Sequence, residues 1–237
     1  MPDAATPSRQ HSCPICDGSG FVLDETTSTA LPCECRPRRI AQARTRSLSH
    51  HIPRRFVDIG FDRNPVKDMD PTIVREVQRY CRAIDDRLDQ GAGLWFQGPR
   101  GTGKTTLAML VSQHALKAGR AVAIYTVPQL LSEIRKTYDD DSRHDYLELT
   151  RRLASADLLH LEDMAVARTN EWVLEQLYTI INDRYQDERS VIFTADVEEP
   201  EELADHVGAR TYSRLIEMCG DPLPLRGEDR RIAVRAR

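Results

Sequence analysis

The sequence predicts an α/β fold, in which a parallel sheet carries helices on both faces and follows a small cysteine-rich module. Three observations lead to this prediction. Short apolar runs alternate with helical segments through most of the chain, an order that is typical of parallel sheets. A glycine-rich loop stands between one of these runs and a helix, and four cysteines cluster near the N-terminus.

The bulk composition is that of an ordinary globular protein. The chain has 237 residues, a net charge of −4, 40% hydrophobic residues and 30% charged residues, which suffices for one α/β core with a small appendage. It has no apolar run long enough to span a membrane and no signal peptide at residues 1–10. We therefore expect a cytoplasmic protein without a membrane partner.

One stretch departs from this average. Residues 36–55 hold seven arginines, two histidines and no acid. Two interpretations remain open, a solvated basic linker or a surface for a phosphate-rich or acidic partner.

Four of the six cysteines form two closely spaced pairs, C-x-x-C and C-x-C. They are Cys13, Cys16, Cys33 and Cys35. In a reducing cytosol such clusters are more typical of zinc sites than of disulfides. A strand over 21–23 and a return over 31–32 bring the pairs together around Zn²⁺, which supplies the folding free energy that so small a module lacks. The alternatives are a redox pair or unliganded thiols. Cys81 and Cys219 are expected to be buried apolar side chains.

The strongest motif follows a predicted helix over 71–88 and a buried strand over 94–96. It matches G-x-x-x-x-G-K-[ST], in which glycines let backbone N–H groups point at phosphates. Lys104 supplies a positive charge for the β- and γ-phosphates, and Thr105 supplies a hydroxyl for Mg²⁺. The helix over 106–117 places the positive end of its dipole at the phosphates. The predicted nucleotide-binding residues are Gly98, Pro99, Arg100, Gly101, Thr102, Gly103, Lys104, Thr105 and Thr106.

The remaining elements alternate between strand and helix. Strands are predicted over 121–125, 157–161, 190–194 and, at the edge, 231–234; helices over 128–138, 146–153, 171–186 and 199–218. Right-handed crossovers bring the strand ends to the edge that holds the phosphate loop. There Glu162 is expected to hold Mg²⁺, Asp163 to polarise the attacking water, and Asp196 to contact the γ-phosphate or water. His160, inside its strand, is expected to be a packed core residue.

Three segments, 96–106, 157–163 and 207–219, together resemble the bacterial and phage helicase-loader ATPases of the DnaC/DnaI type, which are AAA+ proteins. Transposition helpers of the IstB type are close relatives. The likeness runs from about residue 52 to the C-terminus. The four-cysteine segment is similar to the N-terminal zinc module of DnaI-like loaders, which in that family engages the replicative helicase. The resemblance thus implies a zinc-binding module with a basic linker over 1–48 and an AAA+ ATPase domain over 49–237.

The resemblance also implies roles for single residues and selects ATP as the nucleotide. Lys104 and Thr105 match the Walker A ligands, Glu162 and Asp163 the Walker B acids, and Asp196 the sensor. The arginine finger, which reaches a neighbouring subunit's γ-phosphate, matches Arg214, with Arg210 as second candidate. Arg230 or Arg231 is a candidate second sensor. The helix with Arg135 and Lys136 matches the region that faces single-stranded DNA.

Two residues depart from the family pattern, which usually has Asp at Glu162 and Asn at Asp196. We therefore predict slow ATP hydrolysis, with nucleotide acting mainly as an assembly switch. Three functions follow: a helicase loader in DNA replication, which the cysteine module favours; a helper that presents duplex DNA to a transposase; and an adaptor, because residues 13–20 resemble one zinc repeat of Hsp40 co-chaperones. Those co-chaperones need several repeats, and this chain has one.

Overall fold

The computed structural model describes residues 13–16, 19–24, 29–36, 52–137, 143–165 and 170–230, with backbone alone for 143–147. Three predictions fall outside these ranges. They are the basic linker, over its residues 37–51, the C-terminal strand over 231–234, and Arg231 as a sensor.

The cysteine segment contains a small antiparallel hairpin. Strand β1, Phe21–Asp24, pairs with β2, Thr29–Pro32, so that Phe21 faces Pro32 and Val22 faces Leu31. The predicted strand and return are therefore both present. Every side chain of β2 is exposed and β1 is little better covered. The hairpin thus has no apolar core, as expected for so short a segment.

Five parallel strands form the main sheet, in the order β4-β5-β6-β3-β7. They are β3, Leu94–Gln97; β4, Val122–Thr126; β5, Leu158–Glu162; β6, Ser190–Ala195; and β7, Leu223–Pro224. The predicted parallel sheet is confirmed. The strand described at the edge beside β3, however, is β7, in which Leu223 pairs with Phe96 of β3. Strand β7 has two residues, and one of them is a proline. So short a segment has no alternating pattern, and the sequence therefore did not predict this strand.

Eight α-helices lie in the described parts of the chain. They are α1, Pro71–Arg82; α2, Ile84–Asp89; α3, Lys104–Lys117; α4, Val127–Lys136; α5, Arg143–Ser155; α6, Glu171–Gln186; α7, Glu202–Val207; and α8, Ala209–Cys219. Two short 3-10 helices, Arg54–Phe56 and Val66–Asp68, precede them. No helix among the described residues combines the length and the apolar character that crossing a membrane requires.

Two predicted helices are each broken in two. The helix over 71–88 divides at Ala83, which leaves helical geometry at φ −103° and ψ 29°. The helix over 199–218 divides at Gly208, whose φ of 81° suits glycine. Apolar periodicity continues across both breaks because the two halves pack on the same core, and periodicity alone therefore did not locate them.

The sheet separates two apolar layers. Trp95, Tyr125 and Phe193 belong to the layer that also contains residues of α4, α5, α6 and α8. Phe96 and Leu107 belong to the layer that contains residues of α1 and α3. Consecutive strand residues alternate between the layers because side chains of a strand point to opposite faces. This packing brings the carboxyl ends of β3, β5 and β6 to one edge.

Candidate functional site

The phosphate loop connects β3 to α3 in a backbone conformation that depends on glycine. Gly98, Gly101 and Gly103 have φ values of 133°, 80° and 108°, which side-chain-bearing residues rarely adopt. At Gly98 an added Cβ would also collide with the carbonyl oxygen of Leu225. The positive φ angles and the close approach of Leu225 explain why the motif has glycine at these positions.

Lys104 is buried at the centre of this loop. Its Nζ donates to the carbonyl oxygens of Gly98 at 2.7 Å and Pro99 at 2.8 Å, and lies 2.6 Å from Oδ1 of Asp196. The other carboxylate oxygen, Oδ2, accepts from Nε of Arg100 at 3.0 Å. The negative charge that the sequence places near the phosphates is therefore balanced by two cations from the loop itself.

The second cluster lies where β5 ends. One oxygen of Glu162, Oε2, accepts hydrogen bonds from the Thr105 hydroxyl at 2.7 Å and the Thr194 hydroxyl at 2.9 Å, and Oε1 lies 2.6 Å from His160 Nε2. Burial opposes ionisation of this carboxyl, but the bonds from His160, Thr105 and Thr194 hold its pKa below the usual value. Both carboxylate oxygens of Glu162 therefore have hydrogen-bond partners.

Asp163 has the opposite electrostatic character. Burial, together with the nearby negative charges of Glu162 and Asp196, raises its pKa. Its backbone is left-handed at φ 61°, and its N–H donates to the Thr194 hydroxyl at 3.1 Å. A carboxylate with a raised pKa beside a phosphate site is suited to accept a proton or orient a water.

The donor set fits a magnesium ion. The Thr105 hydroxyl and the Glu162 carboxylate already lie together beside the phosphate loop, and Mg²⁺ binds hard oxygen ligands of this kind together with the phosphates of a nucleotide. Of the predicted residues, Lys104, Thr105, Glu162, Asp163 and Asp196 thus converge at one edge of the sheet.

Sequence reasoning passed over two hydroxyl residues of this site. Thr194 bonds both the Glu162 side chain and the Asp163 backbone, and Ser112 bonds His160. Thr194 could have been recognised from the sequence, because it places a hydroxyl near the end of an apolar strand, β6, which lies next to β5. Ser112 offers no such signal, because only packing brings α3 against β5. His160 is fully buried, as expected, but both of its ring nitrogens have polar partners.

The other predicted arginines lie apart from this cluster or at its margin. Arg214 packs on two rings of α6, with its guanidinium carbon 5.4 Å from the Tyr178 centroid and 4.7 Å from that of Tyr185, whereas Arg210 is exposed. Arg230 contacts the phosphate loop by its backbone, which donates to Gly101 at 3.0 Å. Its guanidinium points elsewhere and bonds the Asp68 carbonyl at 2.9 Å.

Helix α4, which is predicted to face DNA, has an arginine that lies over an aromatic ring of the neighbouring helix α6. The Arg135 guanidinium lies 4.8 Å from the centroid of Trp172, a residue of α6. Arg135 and Lys136 are both exposed at the end of α4, and Trp172 is half-buried. An exposed cation over an indole ring is a chemistry that nucleic-acid surfaces use.

The four predicted zinc ligands converge as well. The sulfur atoms of Cys13, Cys16, Cys33 and Cys35 all lie within 4.8 Å of one another, with 3.3 Å between Cys16 and Cys35 and 3.9 Å between Cys13 and Cys33. Sulfurs about 3.8 Å apart are what a tetrahedron with Zn–S bonds of about 2.3 Å requires. The Gly20 N–H also donates to Cys16 Sγ at 3.3 Å, so the donor set fits zinc.

Comparison with known proteins identifies a matching family and curated relatives. The family described as "IstB-like ATP binding protein" matches residues 33–205. An uncharacterized protein of Escherichia coli (strain K12), YdaV, is 32% identical over 124 residues, 50% of this chain and 49% of that protein. The replicative helicase loader DnaI of Bacillus subtilis (strain 168) is 25% identical over 156 residues, 60% of this chain and 48% of that protein. The chain thus spans about half the length of these curated relatives.

The fold has its counterpart among solved structures. The crystal structure of the DnaC helicase loader aligns with a TM-score of 0.62 at 21% sequence identity, over 73% of this chain and 99% of that one. At this identity the likeness establishes the AAA+ fold.

Proposed function

Because the chain belongs to the IstB-like ATP-binding protein family, we propose that it is an ATP-dependent helicase loader of DNA replication. Its parts are a zinc-binding N-terminal module with a basic linker, residues 1–48, and an AAA+ ATPase domain, residues 49–237. The module binds the replicative helicase, and the ATPase domain helps to place it on single-stranded DNA. The observation that carries the proposal is the pairing of a complete ATP site with a separate four-cysteine hairpin.

The chemistry at the ATP site follows from the residues that converge there. Lys104 neutralises the β- and γ-phosphates, Thr105 and Glu162 hold Mg²⁺, and Asp163 orients the attacking water. The Mg²⁺ ion, when bound, neutralises charge that develops on the phosphates. Because Lys104 is already paired with Asp196, ATP has to displace that contact, and this competition supports slow turnover and a role of ATP as an assembly switch.

Replacing Asp196 tests this competition. We expect Asp196→Asn to bind ATP about tenfold more tightly, because the amide keeps the shape but neither holds Lys104 by charge nor repels the phosphates. Phosphate release should also become faster. Titration with a fluorescent ATP analogue and a phosphate-release assay measure the two effects, with exposed Asp205→Asn as matched control. If Asp196→Asn binds the ATP analogue with unchanged affinity, Asp196 does not compete with ATP for Lys104. If the wild type hydrolyses ATP as fast as motor ATPases do, ATP does not act mainly as an assembly switch.

The hairpin supports a protein partner because of its exposed apolar surface. Ile15 is 62% exposed, Leu23 67% and Leu31 51%. Exposed side chains of this kind, held by a metal rather than by a core, are suited to insert into a partner's apolar groove. We assign the replicative helicase as that partner.

A pull-down of the full-length, zinc-loaded chain from the source organism's lysate tests the assignment. We expect the wild type to retain the replicative helicase, and both Cys33→Ser/Cys35→Ser and Leu23→Ser to lose at least about tenfold of it, since central apolar contacts dominate interface affinity. Val57→Ser, at another exposed apolar residue, is the matched control. Equal retention by the cysteine variant removes the module from helicase binding.

Two further surfaces belong to the proposal. Arg135 and Lys136, with Arg135 on Trp172, provide cations that follow the backbone of single-stranded DNA. Arg214, presented by α8, is the arginine finger through which neighbouring copies associate, and Arg210 is the second candidate.

The alternative is a transposition helper, which the family's own description favours. Such a protein coats duplex DNA and presents it to a transposase. Retention of a transposase in the same pull-down, with the helicase left in the flow-through, selects this alternative.

A further inference from the structure

A chain of three buried polar side chains connects the phosphate-loop helix to the end of β5. The Ser112 hydroxyl lies 2.9 Å from His160 Nδ1, and His160 Nε2 lies 2.6 Å from Glu162 Oε1. Ser112 and His160 are fully buried and Glu162 is 4% exposed. Buried polar groups are costly unless they are hydrogen-bonded, and in this chain each group satisfies the next.

The direction of these hydrogen bonds follows from the groups themselves. An ionised carboxylate only accepts hydrogen bonds, so the proton between His160 and Glu162 belongs to Nε2. In the tautomer with the proton on Nε2, the Nδ1 atom is an acceptor and the hydroxyl of Ser112 donates to it. The Glu162 carboxylate therefore sets the tautomer, and Ser112 holds the ring at its other nitrogen.

The contact matters because glutamate is longer than the aspartate usual at this position. An additional methylene adds a side-chain torsion, and therefore rotamer freedom that must be lost when the carboxylate is placed. Thr105 and Thr194 both bond Oε2. Among the described residues, His160 is the hydrogen-bond partner of Oε1, and it thereby sets the rotation of the carboxylate plane.

We propose that His160 is a positioning residue that fixes the Glu162 carboxylate for the Mg²⁺ of bound ATP, with Ser112 holding the other nitrogen of its ring. The inference rests on the proposed function, in which Glu162 is a Mg²⁺ ligand. Groups that hydrogen-bond a ligating carboxylate from behind orient it, and their loss weakens metal affinity or activity by about 10- to 100-fold.

Two amide substitutions separate the two ends of the ring. The amide nitrogen of glutamine stands near the position of Nε2, so His160→Gln keeps a donor for Glu162. The shorter asparagine stands near Nδ1, so His160→Asn keeps a partner for Ser112 but loses Glu162. His160→Leu removes both contacts at similar volume, and Ser112→Ala removes only the bond to Nδ1.

The experiment titrates Mg²⁺ into each variant loaded with a fluorescent ATP analogue, and measures affinity for the same analogue in EDTA. We expect apparent Mg²⁺ affinity to fall at least about tenfold in His160→Leu and His160→Asn and to return to within about threefold of wild type in His160→Gln. Nucleotide affinity in EDTA should change less than about twofold, since Glu162 does not contact nucleotide without the metal. Melting temperatures show which variants fold.

A measurement on the nucleotide-free protein adds a readout independent of activity. Two-bond ¹H–¹⁵N correlation spectra of the imidazole should show the Nε2–H tautomer in the wild type and also in Ser112→Ala, because the carboxylate of Glu162 sets it. The Nδ1–H tautomer in the wild type overturns the inference even if His160→Leu does not fold. So do equal Mg²⁺ affinities for His160→Gln and His160→Asn. If the wild type does not bind nucleotide with Mg²⁺, it is the proposed function that fails.

Discussion

Removing zinc is expected to unfold the N-terminal hairpin and leave the ATPase domain folded. The hairpin has exposed strands and no apolar core, so the four-cysteine cluster is what holds its two ends together. Structural zinc contributes about 10–16 kcal/mol in peptides of comparable size, far more than two strands of four residues can supply. On the proposal that these cysteines bind zinc, we therefore expect the hairpin to unfold when the metal is removed.

Hydrogen–deuterium exchange measures this effect region by region. With a chelator, or in Cys33→Ser, amides of residues 21–24 and 29–32 should exchange at the rate of an unfolded chain. The fluorescence of Trp95 and Trp172, which both lie in the ATPase domain, should not change. Cys81→Ala, which removes a cysteine outside the cluster, is the matched control and should retain one zinc per chain. Protection that survives in Cys33→Ser without zinc contradicts the prediction.

Lys104→Met is expected to weaken ATP binding about 100-fold or more. The side chain is buried, and its charge is held at the centre of the phosphate loop by the carbonyl oxygens of Gly98 and Pro99. Methionine keeps the length but removes the charge that faces the phosphates, and charge-assisted contacts in sheltered sites are among the strongest polar interactions. Among the described residues, Asp196 then keeps Arg100 as its cationic partner, whose side chain is 74% exposed, so Asp196 repels the phosphates more strongly.

Isothermal titration calorimetry with ATP and Mg²⁺ measures this loss. Lys117→Met replaces a lysine at the other end of α3 and should bind ATP like the wild type, which separates the local charge from the net charge. Circular dichroism establishes that Lys104→Met is folded. If that folded variant binds ATP within about threefold of the wild type, Lys104 has no place in the nucleotide site.

The sequence predicted those parts of the site that depend on residues close together in the chain, and it missed contacts between residues that are far apart in the chain. The phosphate loop was predicted in full, because its glycine spacing and its flanking strand and helix lie within one short segment. The acids Glu162 and Asp163, at the end of β5, were predicted because parallel strands end at a common edge. The pairing of Lys104 with Asp196 was not, since their side chains meet only through the adjacency of β3 and β6.

The amino-acid sequence by itself determined the parallel sheet, the phosphate loop, the candidate acids and the four cysteines, because each of these rests on local spacing or on strand–helix alternation. The tertiary structure alone decided how those residues pair. Asp196 forms ion pairs with Lys104 and Arg100. Glu162 accepts hydrogen bonds from Thr105 and Thr194 and contacts His160. The edge strand beside β3 is β7. These pairs join residues far apart in the chain. Their contacts therefore depend on which strands and helices pack side by side, and local patterns do not encode that order.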